Sequence, residues 1–358
     1  MSSAVPTKND FGLVERIAEA VLYEGYVLYP YRSSAVKNRQ RWNFGVLVPE
    51  SYSVAQRGTE AFWMQTQCLV VPTPVSTVDI KIRFLHLMAR DVAVPVESSQ
   101  SKNDWEFRVV PSLEHEGRLY QTWQEAVERD VGLFSVTLEE LKESKKVNFS
   151  FAAAREVQEL RDRSNGEMQG AIIRTQSAIN GQLEVQAEEL GTDDSKPLVR
   201  ITVKISNLTS FDNSADSVRE DALLRSLVST HTILRIKDGE FVSLLDPPSE
   251  CADIAAASQN VGTYPVLVGE QGARECVLSS PIILYDYPQI ASESAGDLYD
   301  GTEIDEILTL RIMTLTDDEK REMRETDERA RQILERTEML PVEQFMKLHG
   351  AMKSVKDK

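Results

Sequence analysis

A histidine set among hydroxyls and carboxylates is the raw material of a nucleophile, a general base or a metal ligand. The chain has four histidines, His86, His115, His231 and His349. His231 has Ser229, Thr230 and Thr232 beside it, and Ser279, Ser280, Asp246, Tyr285 and Asp286 follow within the next segments. A Ser/His/Asp triad can be drawn from Ser279 or Ser280, His231 and Asp246 or Asp286. It requires three distant segments to meet. One reading is therefore a metal-dependent or hydrolytic enzyme with a pocket around His231, Asp246, Tyr285 and Asp286. Other features oppose it. No two histidines are spaced as neighbours on one element, as imidazole-rich metal sites require. His86 and His231 lie in apolar surroundings, where an imidazole is more often a hydrogen-bonded core residue than a base. His115 sits in a hairpin-like turn over 114–117. The chain contains no Gly-x-Gly-x-x-Gly, Walker loop, His-Glu-x-x-His or Gly-x-Ser-x-Gly, so no cofactor is expected.

Recognition chemistry is denser near the N-terminus. Arg32, Lys37, Arg39 and Arg41 fall within ten residues, flanked by Tyr29, Tyr31 and Trp42. Arginine offers forked hydrogen bonding and aromatics offer large contact area, so these seven residues form the expected partner-binding loop. Four positive charges are too few to argue for nucleic acid. An acidic loop over 293–305, with Asp297, Asp300, Glu303 and Asp305, lacks the register of a calcium loop, and any metal ligand set stays unknown. Cys68, Cys251 and Cys276 contain no Cys-x-x-Cys pair and read as inert thiols in a reducing compartment.

Composition narrows the classes further. In 358 residues, 57 acidic side chains outweigh 40 basic ones, for a net charge of −17. Such a balance disfavours nucleic acid and anionic membranes as partners. No apolar run reaches the roughly 18 residues of a membrane span. The first ten residues lack the basic and apolar regions of a secretory signal, so a cytoplasmic location is expected.

The elements that must position these groups are mostly strands. Leu13, Val14, Ile17, Ala18 and Val21 keep helical spacing after Asp10, a candidate cap. Residues 23–31, 43–48 and 62–71 read as short strands. Between Val78 and Phe84 alternation is strict, with Asp79, Lys81 and Arg83 opposite Val78, Ile80, Ile82 and Phe84, which predicts a half-buried strand. Residues 171–178 read as a strand, Asn180-Gly181 as a two-residue hairpin turn, and Leu183, Val185 and Ala187 as its return. Val199, Ile201, Val203 and Ile205 extend this into a three-stranded meander. The Ala-, Glu- and Arg-rich stretch 152–163 reads as a helix. A turn is expected at 237–240, and buried strands at 264–268 and 281–285.

Thr316-Asp-Asp-Glu319 is a capping box that opens a helix running to about Met339, with i,i+4 pairs such as Asp317–Arg321 and a thin apolar stripe. A second helix is expected from Pro341. The fold class is thus α+β, a mainly antiparallel, sandwich-like β-sheet body with a C-terminal helical tail. The expected regions are 1–212, 213–312 (a second β-rich region or part of the same domain) and 313–358, with 213–220 as the boundary candidate.

Several segments together carry a resemblance. They are Ala20 to Arg32, Arg41-Trp-Asn-Phe-Gly-Val46, Ser226-Leu-Val-Ser-Thr-His-Thr-Ile-Leu234, Phe241-Val-Ser-Leu-Leu-Asp-Pro-Pro248, Ser279 to Ile290 and Gly301 to Ile312. They resemble an uncharacterised family of proteins encoded beside high-affinity, actinobacterial-type nickel–iron uptake hydrogenases, and the likeness runs from Ala20 to about Gly350. The resemblance implies a role in making, protecting or assembling a hydrogenase, and supplies no active site. The expectation is a non-enzymatic accessory protein that contacts a hydrogenase subunit or maturation factor. The enzyme around His231 is the alternative, and a scaffold unrelated to hydrogenase is the third reading.

Overall fold

In the computed structural model, residues 12–22, 44–96, 106–190, 197–212, 217–289, 315–326 and 328–339 are described. One strand organises them. β1 (Trp63–Val96) is 34 residues long and joins the two strands expected at 62–71 and 78–84. Its inward side chains, Met64, Cys68, Val70, Val78, Ile80, Ile82 and Phe84, keep a period of two and are buried throughout. Proline cannot donate to a ladder, and at Pro72–Ser76 the strand shifts register rather than ending.

The other strands are β2 (Glu106–Val110), β3 (Ser112–His115), β4 (Arg118–Gln121), β5 (Trp123–Thr137), β6 (Lys145–Phe151), β7 (Ala154–Arg161), β8 (Met168–Gln176), β9 (Ile179–Leu190), β10 (Leu198–Asn207), β11 (Val228–Val242), β12 (Tyr264–Leu267) and β13 (Cys276–Ser280). Along one edge β1 pairs in turn with β10, β5 and β2, and along the other with β11 and β8, all antiparallel. β9 and β6 continue outward from β10, β13 and β12 from β11, and β7 from β8, giving one sheet of eleven strands beside the β3–β4 hairpin. The β10–β9–β6 wing folds over β1. Phe149 and Phe151 of β6 reach Phe84 of β1, with ring centroids 6.1 and 5.8 Å apart. Between the layers lies the main core, to which Leu183, Val185, Ile201, Val203 and Leu234 contribute. The body is therefore the expected antiparallel, sandwich-like sheet. The strands on either side of 213–220 lie in the same sheet.

Four helices cover parts of the body. α1 (Leu13–Leu22) buries Val14, Ile17 and Ala18 against Ile233, Val266 and Leu278. α2 (Glu50–Ala55) and α3 (Arg219–Leu223) pack Tyr52, Ala222 and Leu223 around Leu85 and Leu87. α4 (Ala252–Ala256) adds Ala255 beside Leu69 and Val242.

Besides the strand expected at 43–48, whose described residues form only an isolated Leu47–Leu227 bridge, five local expectations in the sheet body are corrected. Residues 152–163 are not helical: β7 occupies Ala154–Arg161, because β8 offers a complete ladder that outweighs local helix preference. Asn180 and Gly181 do not turn. Both lie inside β9, with Gly181 between Phe149 of β6 and Asn207 of β10, and an added Cβ would sit 2.2 Å from the Phe149 ring. Glycine is needed there to make room for an aromatic ring. β8 consequently pairs with β1 and β7, and only β9 and β10 of the expected meander are neighbours. The turn expected at 237–240 is a kink within β11: Asp238 takes φ +54°, and the Thr73 and Ser76 hydroxyls bond its carbonyl. The strand expected at 281–285 lies one step earlier, as β13, and ends where Pro281 removes a donor; Ile283 and Tyr285 are exposed.

The fifth correction concerns the second face of β1, which is covered rather than solvated. Asp79 is 2% exposed and Arg83 9%. The charges there are paired with neighbouring strands and with α1: Asp79 with Arg235 (2.6 Å), Lys81 with Glu15 of α1 (2.7 Å) and Asp130 (3.1 Å), and Arg83 with Glu128 (2.6 Å). In the tail, the Thr316 hydroxyl accepts the Glu319 N–H while the Glu319 carboxylate accepts the Thr316 N–H, so the capping box forms. The single helix expected to run to about Met339 is instead two helices, α5 (Asp317–Thr326) and α6 (Glu328–Met339), which fold against each other through Arg324–Glu338 and Lys320–Glu338 pairs that one straight helix could not form. The helix expected from Pro341 lies outside the described residues.

Candidate functional site

The residues singled out around His231 are distributed by a bulge in β11. The β1–β11 register shifts between Arg83 and Leu85, and Ser229 adopts φ +52°. That twist turns the Ser229 and Thr230 N–H groups toward the carbonyls of Phe44 and Gly45 (3.0 and 3.1 Å). Gly45 itself has φ +55°, and a Cβ there would lie 2.7 Å from Pro281. The 44–48 segment thus seals the bulge, with Leu47 and Leu227 exchanging backbone hydrogen bonds.

His231 Nδ1–H donates to the Ser229 carbonyl at 2.7 Å, which leaves Nε2 to accept the Ser280 hydroxyl at 3.2 Å. Burial pushes the His231 pKa down to about 4; the Ser229 bond opposes this and the nearby Arg83 charge adds to it. The ring is therefore neutral at pH 7. Electronically this is a serine on a base, with a carbonyl where a triad has a carboxylate. Both residues are 0% exposed. Asp286 is committed elsewhere: Oδ1 accepts the Leu267 N–H and Oδ2 the Ser243 hydroxyl, whose oxygen accepts the Leu245 and Asp246 N–H groups. Tyr285 is 84% exposed. Ser280 and His231 meet, whereas Asp246 and Asp286 belong to a separate clip. Ser279 points to the other face, in a buried hydroxyl chain with Thr66 (2.7 Å) and Thr263 (2.8 Å).

The remaining histidines are core groups. His86 is fully buried, donates Nε2–H to the Ser177 carbonyl at 3.0 Å, and has its pKa lowered to about 4 chiefly by burial. His115 ends β3 at the expected hairpin and bonds Gln169. The three thiols sit in or against three different hydrophobic clusters, and burial raises Cys68 to about 12 and Cys276 to about 11. Among the described residues, no group of three or more His, Cys, Asp or Glu could hold a metal ion.

Tyr29, Tyr31, Arg32, Lys37, Arg39, Arg41 and Trp42 lie outside the described residues, as do His349 and the 293–305 acidic loop. What the structure fixes is where the 23–43 segment is rooted. Leu22, at the end of α1, and Val46 and Val48, just after the segment, are buried in one hydrophobic cluster with Leu85 and Leu87. Both roots therefore sit on the same rigid patch of sheet.

Two further features carry no sequence signal of the kind sought. A cavity of about 270 Å³ opens beside the β1 kink, with Pro72, Pro74, Leu138 and Val199 in its wall. Lys142 at its rim is held by Glu139 (2.6 Å) and Glu189 (3.1 Å). At one end of the sheet β7 pairs with β8 alone, and residues 154–159 are exposed on both faces. Its charges have no alternating apolar partner, so neither pattern nor composition announces a strand. No protein-family model, curated protein or solved structure matches the chain.

Proposed function

We propose that this chain is a non-enzymatic accessory protein in the assembly of a nickel–iron hydrogenase, acting through protein–protein contacts. The contact half of the reading rests on the pinning of the 23–43 segment. A recognition loop performs best when a rigid scaffold holds both of its ends, and Leu22 and Val46 share one buried cluster on the sheet. That segment carries Tyr29, Tyr31, Arg32, Lys37, Arg39, Arg41 and Trp42, the residue types enriched in binding hot spots. The hydrogenase half rests on the resemblance of the segments quoted above. Anaerobic affinity capture of the tagged chain from its native host tests it: hydrogenase subunits or maturation factors should follow the bait stoichiometrically. Charge reversal at Arg32, Arg39 and Arg41 should abolish that capture and leave the melting temperature unchanged. Undiminished capture by the reversed variant removes the loop's role, and a bait that captures neither class of protein removes the hydrogenase reading.

One observation favours the hydrolytic alternative, the tautomer that points the Ser280 hydroxyl at a neutral Nε2. It requires the 44–48 seal to open, since substrate must reach Ser280 Oγ. A fluorophosphonate probe that leaves Ser280 unlabelled, with metal-free protein and a folded His231→Ala variant of unchanged function, disposes of it.

A further inference from the structure

β7 has the backbone of a strand with one ladder unspent. Residues 154–161 hydrogen-bond to β8 along one edge and form no other backbone hydrogen bonds among the described residues. Exposed edges of this length are templates for another strand, and proteins usually blunt them with charge. Here the charges do something more selective. In the sequence Ala154-Arg-Glu-Val-Gln-Glu-Leu-Arg161, positions two residues either side of Val157 carry opposite charge, Arg155 and Glu159.

We infer that β7 pairs antiparallel with β7 of a second copy of this chain, in the register that sets Val157 opposite Val157. The register follows from symmetry. A twofold axis joining two edges stands perpendicular to the sheet and keeps every residue on its own face, so opposed residues have numbers of equal parity and the axis passes through one residue position. Centred on Glu156 or Glu159, two glutamates face each other; centred on Arg155, two arginines do. Centred on Gln158, Arg155 meets Arg161 twice. Centred on Leu160, Glu159 faces Arg161, but β7 ends at Arg161 and its ladder shifts register after Leu160, so only three residues would overlap. Centred on Val157, Arg155 faces Glu159 and Glu159 faces Arg155, Glu156 faces Gln158 on the other side of the sheet, and no like charges meet. Cross-strand opposite charges stabilise a pair and like charges destabilise it.

Three observations fit this occupant. Arg155 has no ion-pair partner within its own chain among the described residues, although its neighbours on β8 and β1 are densely paired. Val157 is one of the exposed large hydrophobics, 39% accessible, at the position the axis would cover. The strand is also held rigid for pairing: Gln158 Oε1 accepts Arg174 Nη1 (3.2 Å), and Arg174 and Arg90 share the Glu125 carboxylate (both 2.9 Å). The opposite sheet edge, β6, carries Lys145 and Lys146 with no acidic residue in the strand, and no register opposes them to unlike charge. A single pair of edge strands is a small contact, so the dimer belongs to the weak, reversible class.

The test is analytical ultracentrifugation of the full chain from about 1 µM to about 500 µM, a range that spans weak association. Wild type should dimerise. Arg155→Glu and Glu159→Arg should each weaken the dimer by about tenfold or more, because each turns both central ion pairs into repulsions. The double variant restores unlike charge at both positions and should return to within about threefold of wild type. Mild oxidation should cross-link Val157→Cys, whose Cα atoms would lie in disulfide range, and should not cross-link Gln158→Cys, whose copies are offset. These positions are exposed, and the own-chain pair that Glu159→Arg removes, Glu159–Arg161 (2.8 Å), is a surface pair of small energy, so thermal melts should stay close to wild type. A monomer throughout, a dimer indifferent to the single reversals, failure of the double variant to recover, or no cross-link at Val157 would each overturn the proposal, the last three by placing the second copy or another strand elsewhere.

Discussion

His231 shows how burial sets the role of a titratable residue. Its ring is kept neutral because no solvent reaches it, and its folded pKa of about 4 lies below the ordinary value of 6.5. Between those values the unfolded chain binds a proton that the folded chain does not, so stability rises with pH through this window and is complete above it. His231 should therefore cost the protein about 2 kcal/mol of stability when the pH is lowered from about 7.5 to about 5. Urea unfolding at the two pH values checks this: a folded His231→Gln variant should show a slope shallower by that amount. His86, lowered to about 4 by burial in the same way, adds a second contribution of the same sign and leaves the comparison intact. The apolar flanks of both histidines were legible in the sequence, as was the possibility that Ser280 meets His231. The absence of a carboxylate from that pair was not, because Asp286 is claimed by Leu267 and Ser243 only once β12 and the 243–246 clip are assembled.

At the level of elements, the bulge in β11 and the 44–48 segment depend on one small residue. Gly45 combines a left-handed backbone with a close approach to the rigid ring of Pro281. Gly45→Ala should destabilise the fold by about 2 kcal/mol, from strain and overpacking together. The same variant should speed amide exchange at Ser229 and Thr230, whose N–H groups bond to residues 44 and 45. Unchanged exchange would mean that the segment does not depend on that turn. Elements with strong local chemistry could be read directly, among them the Thr316 capping box, the spacing of α1 and the β3–β4 hairpin. Elements built by long-range pairing could not. Residues 152–163 and Asn180-Gly181 have local preferences for helix and turn; the first is overruled by the next strand, β8, and the second by β6 and β10, each more than twenty residues away in the chain.

For the whole molecule, the buried charges on the outer face of β1 act as clamps between its neighbours. Asp79 links three strands: its carboxylate accepts the Ser135 N–H of β5 (2.7 Å), which holds Ser135 at φ +53°, and pairs with Arg235 of β11 (2.6 Å). Asp79→Ala should cost about 2 kcal/mol, since it removes the partner of the Ser135 N–H and of a half-buried guanidinium. Asp79→Asn should recover part of that loss by still accepting the Ser135 N–H. Thermal or urea unfolding of both variants measures it, and a loss under about 1 kcal/mol in the alanine variant would show the clamp to be dispensable.

By itself, the sequence determined the class of this protein: an acidic chain with strand-period hydrophobicity, a helical tail and an antiparallel, sheet-dominated body. Those properties follow from local periodicity and composition, which most windows of the chain carry and the β7 window does not. Tertiary structure alone decided that two expected strands are one strand of 34 residues, that the charged face of that strand is sealed by ion pairs, and that Ser280 and His231 are sealed as well. Each of those outcomes depends on which distant segment lies alongside, and in a sheet that choice is made by backbone pairing between residues far apart in the chain.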